Sequence, residues 1–250
     1  MGGRCEGLLV GLVLCLGCGG GGGGSTGGGG GTPVPNQNPA GHWRGTVHSV
    51  TTGQTLSAEA LVVSTGEFRY VASNWVQAVG SLSVSGASAS GSGTMFGPPG
   101  FTFPGGAQTA TVTMSGGQIS AKSQFTGTYT GGGDTGTLSF LYQADFDAPP
   151  PLANMAGAWA ALSYNCSTGY PTTASLSSSG TFTGSDAFGT ITGSLSQVNP
   201  AQNLYRVTLT YRFNAGGATV TYNGLACFTS AGFLVQCSSS SQEFCALFTR

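Results

Sequence analysis

Two histidines, His42 and His48, are the side chains in this sequence best suited to act as bases near neutral pH. Six residues separate them, which in extended chain puts both on one face. The second half of the chain carries Ala158 and Tyr164 at the corresponding places, so the pair is not a repeated feature. No Gly-x-Ser-x-Gly elbow is present, and no Ser-His-Asp set suggests itself among so few ionisable groups, so no catalytic residue is assigned. Asp145 and Asp147 read as sharing a strand face, with Asp134 in the preceding turn, and three such carboxylates could hold calcium. A strand end meeting a proline-rich linker accounts for them more simply, and neither metal nor cofactor is expected. Gly131-x-Gly133-x-x-Gly136 spells the dinucleotide fingerprint, but β-type sequence on both sides and no helix after it make it a hairpin loop. Glu59, Glu67 and Arg69 read as surface ion pairs across two strands.

The elements that would position these groups follow from composition. Charged residues make up 6% of the 250 residues, while 45 are glycine and Ser and Thr abound. Such a chain solubilises its surface with hydroxyls and backbone rather than ions. It is poor in Glu, Lys and Arg, which favour exposed helices, and rich in Thr, Val, Tyr and Phe, which suit a pleated surface. A net charge of −1 offers no electrostatic footprint for nucleic acid, which is excluded as a partner.

Period-two alternation marks the strands. Val207, Leu209, Tyr211 and Phe213 alternate with Arg206, Thr208, Thr210 and Arg212; Ala110, Val112 and Met114 form a second stripe, and Leu138, Phe140, Tyr142, Ala144 and Phe146 a third. Turn signals such as Thr65-Gly66, Ser115-Gly116-Gly117 and Ala215-Gly216-Gly217 lie between stripes. The folded part reads as duplicated. Ala40-Gly41-His42-Trp43 recurs 116 residues on as Ala156-Gly157-Ala158-Trp159. Ser64-Thr65-Gly66-Glu67-Phe68 recurs as Ser178-Ser179-Gly180-Thr181-Phe182, and Gly80-Ser81-Leu82-Ser83 as Gly193-Ser194-Leu195-Ser196. About eight strands per half predict an all-β protein of two tandem antiparallel barrels or sandwiches. Gly41-x-Trp43 and Gly157-x-Trp159 resemble the opening of calycin (lipocalin-like) barrels, a resemblance that implies a tryptophan closing each barrel base.

The N-terminal segment points outside the cytosol. Arg4 precedes the apolar run Gly7 to Leu16, too short to span a bilayer but apt for a signal peptide. Leu16-Gly17-Cys18 resembles the lipobox of bacterial lipoproteins, which implies a diacylglyceryl group on Cys18 and a membrane reached through that lipid. Gly19 in place of Asp after the cysteine, by resemblance to lipoprotein sorting, implies the outer membrane, on its periplasmic face or at the cell surface. The glycine runs after Cys18 and the stretch Thr32 to Pro39 form a tether with a reach of roughly 25 Å. The expected organisation is a signal peptide over 1–17, the lipidated cysteine and tether over 18–39, a first β repeat over 40–148, a linker over 149–154 and a second β repeat over 155–250.

Cys166, Cys227, Cys237 and Cys245 all lie in the second repeat, and an even number in an exported chain reads as two disulfides. Three pairings are open; Cys227–Cys237 would tie neighbouring strands and Cys166–Cys245 would join the repeat's first and last segments. No Cys-x-x-Cys suggests zinc.

One loop has no counterpart. Between Met95 and Pro104, Met95, Phe96, Phe101 and Phe103 sit on turn-forming backbone, and the stretch from Gly80 to Val112 is 32 residues against 14 from Gly193 to Val207. Such a loop either plugs the open end of a barrel or meets a partner. The expectation is a non-enzymatic envelope lipoprotein whose β domains bind a protein or an apolar small molecule. The alternatives are a structural or adhesive surface module, or an envelope inhibitor of a hydrolase. An open apolar cavity under the Phe-rich loop would favour a small molecule.

Overall fold

Alternating apolar and hydroxyl side chains can bury one face only if the strands find a shared interior, and here they find two. The computed structural model describes residues 35–98, 100–104, 106–164, 169–230, 232–239 and 243–249, with the side chains of 162–164, 169–170 and 243–245 outside the description. The lipobox-like Cys18, the tether and Cys166 therefore lie outside the described residues, as does the side chain of Cys245. The first barrel is β1 (Gly41–Ser49), β2 (Thr55–Val62), β3 (Glu67–Ala72), β4 (Gln77–Ser85), β5 (Ser88–Phe96), β6 (Thr109–Ser120), β7 (Gln124–Gly131) and β8 (Asp134–Tyr142). Each strand is antiparallel to the last, and β8 returns to pair with β1, Trp43 opposite Tyr142. The second barrel is β9 (Gly157–Tyr164), β10 (Gly169–Leu176), β11 (Thr181–Ser185), β12 (Gly189–Gln197), β13 (Tyr205–Phe213), β14 (Thr219–Thr229), β15 (Gly232–Ser238) and β16 (Glu243–Thr249). It closes the same way, β16 pairing with β9. The architecture is thus two closed up-and-down barrels rather than sandwiches, and closure leaves neither sheet an open edge.

The short internal matches turn out to be the structural corners of the repeat. Trp43 Nε1 donates to the Pro39 carbonyl at 3.1 Å, and Trp159 Nε1 to the Met155 carbonyl at 3.0 Å, four residues back in each case. Both indoles lie buried at the start of the first strand of their barrel, where the chain enters. Gly66 and Gly180 adopt φ of +92° and +86° in the turn after the second strand, and their carbonyls accept from Leu82 N and Leu195 N at 2.8 Å. Phe68 lies opposite Gly80 and Phe182 opposite Gly193. A Cβ on Gly80 would stand 2.8 Å from the Phe68 ring and one on Gly193 2.4 Å from the Phe182 ring, so in both barrels the ring occupies space that only a glycine leaves.

Three readings of the chain need correction. The stripe from Leu138 to Phe146 breaks at Tyr142: Ala144–Asp147 is a short 3₁₀ turn, so Asp145 and Asp147 share no strand face. Ser115-Gly116-Gly117 is no turn but a bulge inside β6, where the pairing with β7 slips between Ser115 and Gln118. Val112 lies on β6 and Val207 on β13, the counterpart of β5 in strand order, so the two are not equivalent. The counterpart of residues 97–108 is the short turn 214–218, with Gly216 and Gly217 at φ of +76° and +66°.

A third apolar cluster lies on the outer walls, where the barrels meet. Leu61, Val63 and Val71 of the first barrel pack with Leu225, Cys227 and Leu234 of the second, and Phe146 and Leu204 of the connecting segments join them. Asn203 clasps the join: its amide donates to the Asp145 carbonyl at 3.1 Å while its oxygen accepts from Phe228 N at 3.0 Å. Arg69, read from the sequence as a surface residue, is 8% exposed here and donates to Ser238 across the seam. Burial by the second barrel, which no local pattern in β3 announces, accounts for the difference. Among the described residues no helix is long and apolar enough to cross a membrane.

Candidate functional site

The interior of the first barrel is not filled. A cavity of about 240 Å³ runs beneath the β5–β6 loop, while the void between Trp159, Leu176, Phe182 and Phe233 inside the second barrel is about 10 Å³, room for at most one water. The cause is side-chain volume at inward positions. Ala60, Ala72 and Ala78 line the cavity, with Gly91 and Gly131. The second interior is packed by Ile191, Leu195, Tyr205, Leu209, Tyr211, Tyr222 and stacked Phe228 and Phe233, whose ring centroids are 4.5 Å apart. The base of the first barrel is closed by Trp43, edge-on to Tyr142 at 5.4 Å and to Phe125 at 6.0 Å.

The loop singled out by its aromatics covers the opposite end. Met95 and Phe103 are buried, 9% and 6% exposed, in a cluster with Val76 and Ala78. Phe101 packs edge-on to Phe103 at 5.1 Å, and both line the cavity with Pro104. Phe96 is half-buried at the end of β5 and does not line it. Gly132 and Gly133, with φ of +60° and +78°, form the β7–β8 hairpin turn; of the dinucleotide-like glycines Gly133 lies in that corner, while Gly131 and Gly136 lie in the flanking strands. A Cβ on Gly132 would stand 2.7 Å from the Phe103 ring, which rests on that corner.

Polar groups gather at the same end. Asp134, first residue of β8, accepts from the Tyr129 hydroxyl at 2.7 Å and from Ser49 Oγ at 2.8 Å. Burial works to raise its carboxyl, but hydrogen bonds from Tyr129, Thr51, Ser49 and the Thr135 amide outweigh it and hold the group below its ordinary range. Burial and then the Asp134 carboxylate push the Tyr129 phenol up. Thr52, Gln54 and Asn74 complete the rim. Tyr70 lies deeper in the wall, edge-on to Phe140 at 6.4 Å; burial pushes its phenol well above the ordinary range. Asp134 stands at the far end of β8 from Asp145 and Asp147, roughly 25 Å away along the strand, so the three carboxylates form no joint site.

The ionisable groups of β1 serve elsewhere. His42 is 1% exposed at the seam, its Nδ1 3.2 Å from Asp145 and its Nε2 3.2 Å from Glu59, which also meets Arg44 at 2.7 Å. Both ring nitrogens thus face carboxylates of the protein itself. Burial pushes the nearby Cys227 thiol up, Asp145 and Glu59 push it further, and only Arg44 opposes them, so the group stays a thiol. His48, on the same outward face of β1, is exposed and bonds Thr55 across the ladder at 3.0 Å.

Cys227 and Cys237 sit on neighbouring strands, yet they do not pair with each other. Cys227 is opposite Leu234 and Cys237 opposite Gly224, three ladder steps away. An odd offset places them on opposite faces: Cys227 at the seam, Cys237 in the barrel interior. Adjacency of strands was legible in the sequence; register was not.

Compared with protein-family models, with curated proteins and with solved structures, the chain matches none. Tyr70, Tyr129 and the alanine wall carry no catalytic or binding motif in the sequence. The signal was present as alternate small residues, Ala58 and Ala60 in β2 and Ala72 and Ala78 flanking the β3–β4 turn, all on inward parity.

Proposed function

We propose that the chain is a non-enzymatic cell-envelope lipoprotein whose first barrel holds a small apolar molecule, while the second is a solid barrel bracing it. The cavity beneath Met95, Phe101 and Phe103 supports the ligand reading, and the segment Leu16-Gly17-Cys18 supports the envelope reading. The barrels carry their apolar side chains inside and present residues such as Arg206, Thr208 and Arg212 outside, the reverse of a barrel that faces lipid. A dry cavity of roughly 150 Å³ accommodates benzene, so about 240 Å³ suits roughly ten non-hydrogen atoms. At about 0.6 kcal/mol per atom this gives about −6 kcal/mol, a Kd of roughly 40 µM.

Titrating the full chain with toluene, followed by backbone amide shifts, tests the reading. Shifts are expected at Ala60, Ala72 and Val112 and none inside the second barrel. Replacing Ala60 and Ala72 by leucine fills the cavity and abolishes the shifts. Absence of binding, or binding confined to the second barrel, overturns the proposal.

A further inference from the structure

We infer that the molecule held in the first barrel ends in a hydrogen-bond-donating head, an alcohol, phenol or amine, and not in a carboxylate or phosphate. The inference rests on the ligand-binding reading above and adds the chemistry of the ligand's polar end.

Among the described residues Asp134 is the one charged side chain lining the cavity, and no Lys, Arg or His lines it. A ligand anion would therefore lose its hydration, gain no cation and stand beside a like charge. The carboxylate accepts from Ser49 and Tyr129 and, being acceptor-only, turns nothing but acceptors toward the cavity. Its hydrogen bonds hold it ionised at neutral pH.

Tyr70 is the second observation. Its side chain lines the cavity wall, and no group among the described residues hydrogen-bonds its hydroxyl. Tyr70 is half-buried and lines the space a ligand would fill, so an acceptor on the ligand can take the place of the water that would otherwise meet its hydroxyl. It lines the same chamber as Tyr129 and Asp134, so one ligand in that chamber can meet the hydroxyl and the carboxylate together. A head that donates toward Asp134 and accepts from Tyr70 satisfies both. The alkyl or aryl body then lies toward Ala60, Val62, Leu138 and Phe140.

Calorimetric titration of the full chain at neutral pH with n-octanol, n-octylamine and n-octanoate, matched in apolar body, tests the inference. Octanol and octylamine are expected to bind at least about tenfold more tightly than octanoate. Asp134→Asn is expected to shrink the octanol-to-octanoate ratio to below about threefold, and Tyr70→Phe to narrow the octanol-to-toluene ratio by about fivefold. If Asp134→Asn fails to fold, the Tyr70→Phe ratio decides alone. Octanoate binding as tightly as octanol overturns the inference, as does a Tyr70→Phe variant with an unchanged ratio. If toluene binds while all three heads bind alike, only this inference falls; if toluene does not bind either, the cavity reading falls with it.

Discussion

Arg69, on the wall of the first barrel, donates a hydrogen bond to Ser238 of the second, with Glu67 3.5 Å away on its own strand. Glu67 in turn accepts from Arg206 of the second barrel, so three charged groups bridge the seam above the apolar contacts of Leu61 and Leu225. The ions and the apolar groups differ in weight. Arg206 is 46% exposed, and Arg206→Ala is expected to cost under about 1 kcal/mol. Leu225 has no exposed surface, and Leu225→Ala is expected to cost about 3 kcal/mol. Because that loss falls on the seam, calorimetry should resolve two unfolding transitions in Leu225→Ala where the parent shows one. A single transition with an unchanged midpoint would count against the seam as the coupling element.

Acid should loosen the same seam. Burial works to raise the Glu59 carboxyl, but His42 and Arg44 together outweigh it and hold the group below its ordinary value. A carboxylate depressed in the folded state stabilises the fold above its unfolded pKa of about 4.3, and that contribution disappears as pH falls through the lower folded value. Glu59→Gln is therefore expected to lower the melting temperature at pH above about 5, by the equivalent of roughly 1–2 kcal/mol, and to converge on the parent as pH falls through the depressed folded value. Melting curves at several pH values decide. A deficit that persists undiminished at the acid end would mean the carboxylate acts by shape alone.

Two glycines with similar backbone should respond differently to alanine. Gly53 and Gly66 have φ of +69° and +92°, so each substitution carries left-handed strain of about 1–2 kcal/mol. A Cβ on Gly53 meets nothing within 4 Å, whereas one on Gly66 stands 2.1 Å from the Leu82 carbonyl oxygen, a backbone atom held in the ladder. Gly53→Ala should cost about 1 kcal/mol and Gly66→Ala at least about 3 kcal/mol, read from urea midpoints. Equal costs would show that strain alone matters at both turns.

The Cys227 thiol should resist reagents until the barrels part. It is 1% exposed and its thiol is pushed up by burial first, then by Asp145 and Glu59. Iodoacetamide labelling followed by mass spectrometry should find Cys227 unmodified in the native protein and modified within minutes in denaturant. Under non-reducing conditions no peptide should link Cys227 to Cys237. Rapid native labelling would mean that the seam opens readily.

Much of the fold is a local property and was legible as such. The alternation over Val207–Phe213 demands a strand with one buried face whatever it pairs with, and a glycine at φ near +90° stands in both repeats because each needs the same turn there. Trp43 and Trp159 were readable as core anchors because a large ring opening a strand must be buried somewhere. Local pattern stops where several strands must be summed. Whether a sheet closes depends on shear around the whole ring, and whether its interior is full depends on volumes contributed by every strand at one level. Ala60, Ala72 and Ala78 are unremarkable one at a time and make a chamber only together. Likewise His42, Glu59 and Asp145 are separated by 17 and 103 residues, and only closure of the first barrel, which pairs β1 with β2 on one side and β8 on the other, brings them into one clasp. The sequence by itself determined strands, turns and duplication, because those arise between near neighbours; closure, the cavity and the seam were decided by tertiary structure, because they arise between residues that only the completed barrels bring together.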